Sequence, residues 1–139
     1  MQEQTIEIQR ARLFRYQEVR CLLTGAYVLG WLLLRLGLAK ALRDWVESLT
    51  YRINSENLFI SGCFSVWGVV LHRYEKTIPL AKITDVKLVQ GPVLNRMNLW
   101  GIHIQTAGQG TFKAEATLWA PENPHGVRDH ILHAVREAQ

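Results

Sequence analysis

The chain has 139 residues, of which 48% are hydrophobic and 20% are charged, and it carries a net charge of +4 with a pI near 9.3. These values exclude a disordered chain and allow one domain with a hydrophobic core. The positive charge favours anionic partners such as lipid head groups, but the Lys and Arg residues are scattered, so we predict no nucleic-acid partner. Cys21 and Cys63 form no CxxC pair, which favours a reducing compartment.

The first 48 residues predict a helical segment in two parts. Residues 1–20 mix Arg and Glu with scattered apolar residues, a pattern typical of a polar helix or tail. Residues 21–48 contain no proline and are rich in leucine, which favours a helix. We therefore predict a division of the chain into residues 1–48, a polar segment followed by a long hydrophobic helix, and residues 49–139, a β domain.

The apolar run at 21–34 has leucines around its whole circumference, which suits a lipid environment. Crossing a bilayer takes about 20 apolar residues, and reaching that length includes Arg35 and Lys40. An arginine costs about 2.5–3.5 kcal/mol at the centre of a span and less near an end, and the surrounding leucines can outweigh that cost. We therefore predict a membrane-embedded helix through Leu22, Leu23, Ala26, Gly30, Trp31, Leu33, Leu34 and, as an interface anchor, Trp45.

A soluble interpretation of the same segment stays open. From Arg35 onward the charged residues fall within one half of the helical wheel, as they do on a surface helix. The alternative function is therefore a soluble homo-oligomeric structural protein that buries this helix between its subunits.

From residue 49 the hydrophobic pattern changes to alternation, which predicts strands. NSEN at 54–57 has the composition of a turn, Pro79 and Gly91-Pro92 each end a strand, and AGQG at 107–110 predicts a hairpin. The predicted strands are 50–53, 58–61, 68–78, 83–90, 101–106 and 111–119.

A helix is predicted after the last strand. Asn123 is an N-cap candidate, and Pro124 stands in the first turn, where proline is tolerated. The apolar stripe of this helix is Val127, Ile131, Leu132 and Val135. We predict a mainly β fold, a small antiparallel barrel or sandwich covered by this C-terminal helix.

The sequence nominates no catalytic machinery. His125, His130 and His133 lie on the last helix without the accompanying Cys or second His pair of a zinc site. AGQG is too short, and lacks the following helix, for a phosphate-binding loop. We therefore predict no enzymatic activity, no metal or cofactor and no small-molecule substrate.

The basic residues of the predicted β domain, with one tryptophan in a predicted loop, form a candidate surface for anionic lipid or a partner. Each surface cation contributes about 1 kcal/mol of attraction to an anionic membrane. The NSEN turn is neutral to acidic, which argues against inositide recognition. The candidate residues are Arg52, Arg73, Lys76, Lys82, Lys87, Arg96 and Trp100.

Three motifs between residues 77 and 108 carry a resemblance. TIPLAKITDV (77–86) ends a strand with Ile-Pro-Leu and continues with Ile-x-x-Val, QGPVLNRMNL (90–99) opens with a Gln-Gly-Pro turn, and IQTAG (104–108) contains Thr-Ala-Gly. In this order they resemble the bacterial pleckstrin-homology-like family, also called the membrane-flanked domain, over residues 49–136. Asn98 stands where the family has glycine, so we predict a positive φ there, because asparagine tolerates that conformation best after glycine.

The resemblance implies a small PH-like barrel with a C-terminal helix. It also implies a non-catalytic binding or assembly role at a membrane. We predict that the β domain lies on the cytoplasmic side of that membrane. The expected partners are membrane lipids, with a protein partner or self-association as well.

Overall fold

The computed structural model describes residues 3–24, 28–107 and 114–139 as two antiparallel sheets accompanied by helices. The strands are β1 (Gln4–Ile6), β2 (Thr50–Ile53), β3 (Asn57–Val66), β4 (Val69–Pro79), β5 (Ile83–Val89), β6 (Gly101–Thr106) and β7 (Ala116–Trp119). The helices are α1 (Arg10–Thr24), α2 (Val28–Leu33), α3 (Ala39–Ser48), α4 (Pro92–Arg96) and α5 (Pro124–Ala138). A π-helical segment, Leu34–Leu38, connects α2 to α3, and Leu80–Lys82 forms a 3-10 turn.

The first sheet has the strand order β1-β2-β3-β4. Tyr51 and Ile53 of β2 lie opposite Ile60 and Leu58 of β3, and all four side chains are buried. Arg52, between them, is exposed. Successive side chains of a strand point to opposite faces, so this sheet has one face in the core and one in solvent.

The second sheet has the order β5-β6-β7 and meets the first through a shared core. Val86 and Ile104 lie opposite each other in β5 and β6, and Ile102 lies opposite Leu118 of β7. α5 packs against β5 and buries Ile131 completely. This arrangement of antiparallel sheets with a C-terminal helix confirms the predicted mainly β, PH-like fold.

α1 is part of the same core. Its Leu13 is fully buried. Arg10 donates hydrogen bonds to the carbonyl oxygens of Val46 (2.6 Å), Glu47 (2.9 Å) and Leu49 (3.0 Å), where α3 ends. The last carbonyls of a helix lack partners within the helix, so a cation there satisfies them and complements the helix dipole. The division of the chain at residue 48 stays a prediction, but any such division has to cross this packing.

The predicted long hydrophobic helix at 21–48 is wrong. α1 ends at Thr24, and α2 and α3 are separated by a kink at Gly37, whose φ is 106°. Glycine has no Cβ and adopts this left-handed conformation readily, so it ends one helix and lets the next begin in a new direction. Within the part of the chain that the structure describes, no helix combines the length and the apolar character that a bilayer crossing requires.

The strand predictions hold for most of the β region. The bounds 50–53 and 101–106 are confirmed, and β3, β4 and β5 overlap the predicted 58–61, 68–78 and 83–90. The predicted strand at 111–119 corresponds to β7 from Ala116 onward, and its first three residues lie outside the described residues. Positions 108–110 of the predicted hairpin turn also lie outside them. The predicted turn at 54–57 is confirmed, since the side-chain oxygen of Asn54 accepts hydrogen bonds from the amides of Glu56 and Asn57.

Asn98, which follows α4, has a φ of 52°, so the predicted positive φ is confirmed. We expect Asn98→Gly to leave the free energy of unfolding unchanged or slightly higher, because glycine adopts this conformation without strain. Asn98→Val should lower it by about 1 kcal/mol or more, since a β-branched residue is strained there. Urea denaturation of the two variants measures the difference, and equal stabilities would contradict a strained position.

The predicted N-cap of α5 is confirmed, since the side chain of Asn123 accepts a hydrogen bond from the amide of Gly126 at 3.1 Å. Ile131, in the predicted apolar stripe, is fully buried and anchors the helix. We expect Ile131→Ala to lower the free energy of unfolding by about 2–5 kcal/mol, because it leaves a cavity in a packed core. His133→Ala on the exposed face should change it by less than about 0.5 kcal/mol. Equal losses in the two variants would mean that the stripe is not what docks the helix.

Candidate functional site

Ten large hydrophobic side chains are exposed among the described residues, and they fall into two stretches of the sequence. Two of them, Val19 and Leu23, lie in the second half of α1. Soluble proteins rarely expose contiguous apolar surface without a use for it, so the ten side chains mark a candidate contact site. The other eight form a surface that we call the apolar end: Leu29, Trp31, Leu32, Leu36, Trp67, Val69, Val70 and Leu71.

One half of the apolar end is the tip of the β3–β4 hairpin. Trp67 and Gly68 connect the strands with φ values of 50° and 78°, which is the two-residue turn that suits the twist of a hairpin. β2 pairs with β3 only as far as Ser61, so the hairpin continues beyond the sheet. A register shift between Phe64 and Ser65 adds a local bend. The Trp67 side chain is consequently 81% exposed.

The other half is α2 with the kink that follows it. A Cβ placed on Gly37 would lie 2.9 Å from Nε1 of Trp67, closer than a real Cβ contact. The indole of Trp67 therefore rests against the backbone at the kink. This contact joins the hairpin tip to the segment that carries Leu36, so the two halves form one surface.

The base of the hairpin is fixed to the end of α3. The Ser48 hydroxyl oxygen accepts a hydrogen bond from the amide of Cys63 at 2.9 Å, and the hydroxyl donates to the carbonyl oxygen of Trp45 at 2.7 Å. α3 itself packs along β3. The apolar end is therefore supported by the folded body of the domain.

Cations border the apolar end. The guanidinium of Arg35 lies 5.0 Å from the ring centroid of Trp31, within the range of a cation–π interaction. Lys40 is exposed at the start of α3, and Arg73 is exposed two residues after Leu71. An apolar surface with aromatic rings and an Arg/Lys border is typical of elements that lie in a membrane interface.

Three of the predicted basic surface residues already have acidic partners. An exposed ion pair contributes little stability, but it reduces the charge available to a ligand. The pairs are Arg52–Glu3 (2.9 Å), Lys87–Asp85 (3.0 Å) and Lys76–Glu115.

The remaining predicted surface residues lie on different elements. Arg73 pairs with Cys63 across β3 and β4, and Lys76 pairs with Ile60. Because Arg73 and Lys76 are three positions apart in β4, their side chains leave opposite faces of the sheet. Lys82, Arg96 and Trp100 belong to the 3-10 turn, to α4 and to the loop before β6. A lipid or partner surface made of this whole set stays a prediction.

The residues predicted to form the membrane helix differ in exposure and lie on different elements. Leu23 and Trp31 are exposed, and Gly30 belongs to α2. Leu22 and Trp45 are half-buried, with Trp45 packed against the core. Outside the described residues lie Ala26 and the side chains of Leu33 and Leu34.

The Tyr51 hydroxyl is a buried polar group with a structural role. Burial raises the pKa of Tyr51, whose hydroxyl oxygen accepts a hydrogen bond from the amide of Trp119 at 3.0 Å, so this group stays protonated at neutral pH. The ring of His125 meets Trp100 edge-on at 5.5 Å. Among the residues described, no three His, Cys, Asp or Glu side chains converge as metal ligands would. The absence of catalysis stays a prediction.

Sequence reasoning missed the hairpin half of the apolar end. The alternation pattern predicts residues 68–78 as a strand but does not show which of its side chains lie beyond the edge of the sheet. The available signal was the run Val69–Val70–Leu71 directly after a turn, because three consecutive apolar residues cannot all face the core of a two-sided strand.

The comparisons with known proteins extend the match beyond the β region. A family model described as Bacterial PH domain matches residues 12–135, which includes most of α1, all of α2, the strands β2 to β7 and most of α5. No curated protein and no solved structure gives a match. The two antiparallel sheets with a C-terminal helix fit the same family. The chain therefore belongs to the bacterial PH domain family.

Proposed function

We propose that this bacterial PH domain is a binding module that attaches to anionic membranes by placing its apolar end in the bilayer interface. Family membership supports a binding role, because PH domains generally bind lipids or proteins. The observation that carries the membrane part is the concentration of exposed apolar side chains on α2 and the hairpin tip. In this proposal α2 lies along the membrane surface.

The apolar end supplies enough free energy for this attachment. Complete burial of a Leu, Val or aromatic side chain contributes about 1.5–3 kcal/mol, so a half-exposed one has roughly 1 kcal/mol still to gain. Eight such side chains together can contribute several kcal/mol. An interfacial element of this type inserts about 5–10 Å into the head-group and acyl boundary.

The bordering cations add a salt-sensitive attraction. Arg35, Lys40 and Arg73 are exposed, and each contributes about 1 kcal/mol near an anionic leaflet. Anionic lipid is concentrated in the cytoplasmic leaflet, so we place the domain on the cytoplasmic side. Residues 1–48 supply α2 and residues 49–139 supply the hairpin, so both parts of the chain take part.

Vesicle flotation of the full chain tests the proposal. We expect strong binding to phosphatidylcholine vesicles that contain phosphatidylglycerol and weaker binding to phosphatidylcholine alone. Salt should weaken the binding without abolishing it, because screening acts on the charges and not on the apolar contact. A chain that stays unbound at low salt would overturn the proposal. Dimers or larger assemblies in lipid-free sedimentation of such a chain would favour the homo-oligomeric alternative, in which a second copy covers the apolar end.

A further inference from the structure

A groove of about 850 Å³ lies between α1 and α4. Arg15, Val19 and Leu22 form its α1 wall, at spacings of four and three residues that place them on one helix face. Val93 and Met97 form part of the opposite wall. Most of the lining is apolar, and its volume is within the range of pockets that hold small organic ligands.

We propose that this groove holds one acyl chain of an anionic phospholipid taken from the bilayer to which the domain is attached. The proposal rests on the membrane attachment proposed above. Its first support is continuity with the apolar end. Leu23 lines the groove, is 52% exposed, and stands one residue before the end of α1, which in turn contacts α2. One end of the groove therefore lies next to the helix that carries part of the apolar end.

The second support is the order of charge along the groove. Arg15 precedes Leu23 by eight residues, which is roughly 12 Å along a helix. Along α1, Arg15 is therefore distant from the apolar end, whereas Leu22 and Leu23 are close to it. A phospholipid in a bilayer has the same order, with its charged head group outermost and its chain directed to the bilayer centre.

The third support is unsatisfied positive charge. Arg15 and Arg96 both line the groove and are exposed, and no carboxylate among the described residues lies within ion-pair distance of either guanidinium. Glu18 is the one acidic residue in the lining, so these charges sum to +1. A guanidinium matches a phosphate oxygen pair in a bidentate geometry, which favours an anionic head group over a neutral one.

The first test uses dodecanoate as a soluble probe, titrated calorimetrically into the full chain below its critical micelle concentration. We expect one binding site per chain and weaker binding of the neutral dodecanol. Val19→Trp should abolish binding by filling the groove, whereas Ala11→Trp, exposed on the same helix and outside the groove, should bind as the unmodified chain does. Arg15→Gln and Arg96→Gln should each weaken dodecanoate binding by about tenfold. Because both arginines are exposed, these two variants decide the matter if Val19→Trp does not fold.

The second test asks whether the bound chain comes from the bilayer. The protein is incubated with phosphatidylglycerol vesicles, and the vesicles are then removed. Native mass spectrometry should find one phosphatidylglycerol bound to the unmodified chain and none bound to Val19→Trp. Dodecanoate binding without retained phospholipid would overturn the bilayer source in favour of a free fatty acid. If the chain neither binds dodecanoate nor retains phospholipid, the groove is not a lipid site. A helix of a partner protein would then be its expected occupant. Vesicle flotation of the same samples separates this failure from that of membrane attachment, since flotation depends on the apolar end.

Discussion

Replacing Leu36 and Val70 together by glutamate is expected to weaken binding to anionic vesicles by at least about a hundredfold. The two residues come from the two halves of the apolar end, and their side chains are 57% and 51% exposed. Each substitution removes apolar area that would leave water and adds a carboxylate that must stay hydrated. A loss of about 1.4 kcal/mol at each position already gives a hundredfold change in partition. Flotation at a fixed salt concentration measures it.

A matched control separates insertion from simple charge repulsion. Ala81→Glu with Thr84→Glu makes the same charge change at two exposed positions near the 3-10 turn. We expect this control to weaken vesicle binding only through charge repulsion. Its difference in binding from the unmodified chain should therefore disappear at high salt. Equal losses in the two double variants would contradict insertion of the apolar end. Thermal unfolding of both confirms that the fold is intact.

Replacing Leu13 by alanine is expected to lower the free energy of unfolding by about 2–5 kcal/mol, because this side chain is fully buried against the shared core. That is a large part of the total stability of a small domain. Val19→Ala on the same helix, where the side chain is 37% exposed, should cost less than about 0.5 kcal/mol. Urea denaturation of the two variants gives both values.

The Leu13 variant also tests the predicted division of the chain at residue 48. If residues 1–48 formed a segment independent of the β domain, loss of the Leu13 side chain would leave unfolding of that domain unchanged. The pairing of β1 with β2 and the place of Leu13 in the shared core indicate the opposite result. Equal stabilities of Leu13→Ala and Val19→Ala would support the division.

Much of the β region was predictable because its signals are local. Strand bounds at 50–53 and 101–106 follow from alternation between turn residues, and the cap of α5 follows from Asn123 and Pro124. The positive φ of Asn98 was predictable because few residue types tolerate it. These features depend on the conformations available to a few neighbouring residues.

The N-terminal third was not predictable in the same way. A leucine-rich run favours a helix whatever surrounds it, and the kink at Gly37 lies against Trp67, a residue 30 positions later in the chain. Likewise, the burial of Leu13 depends on strands far away in the sequence. The candidate site required the first of these facts, since the apolar end exists only where the kink and the hairpin tip meet.

Quenching of tryptophan fluorescence by brominated phosphatidylcholine mixed with phosphatidylglycerol is the most direct test of whether the apolar end enters the bilayer. Trp31 and Trp67 belong to the apolar end, whereas Trp100 is half-buried beside His125. We expect brominated vesicles to quench the unmodified chain and Trp100→Phe strongly, and to quench Trp31→Phe/Trp67→Phe only weakly, although phenylalanine preserves binding. Quenching that is undiminished in the Trp31→Phe/Trp67→Phe variant would contradict insertion of the apolar end.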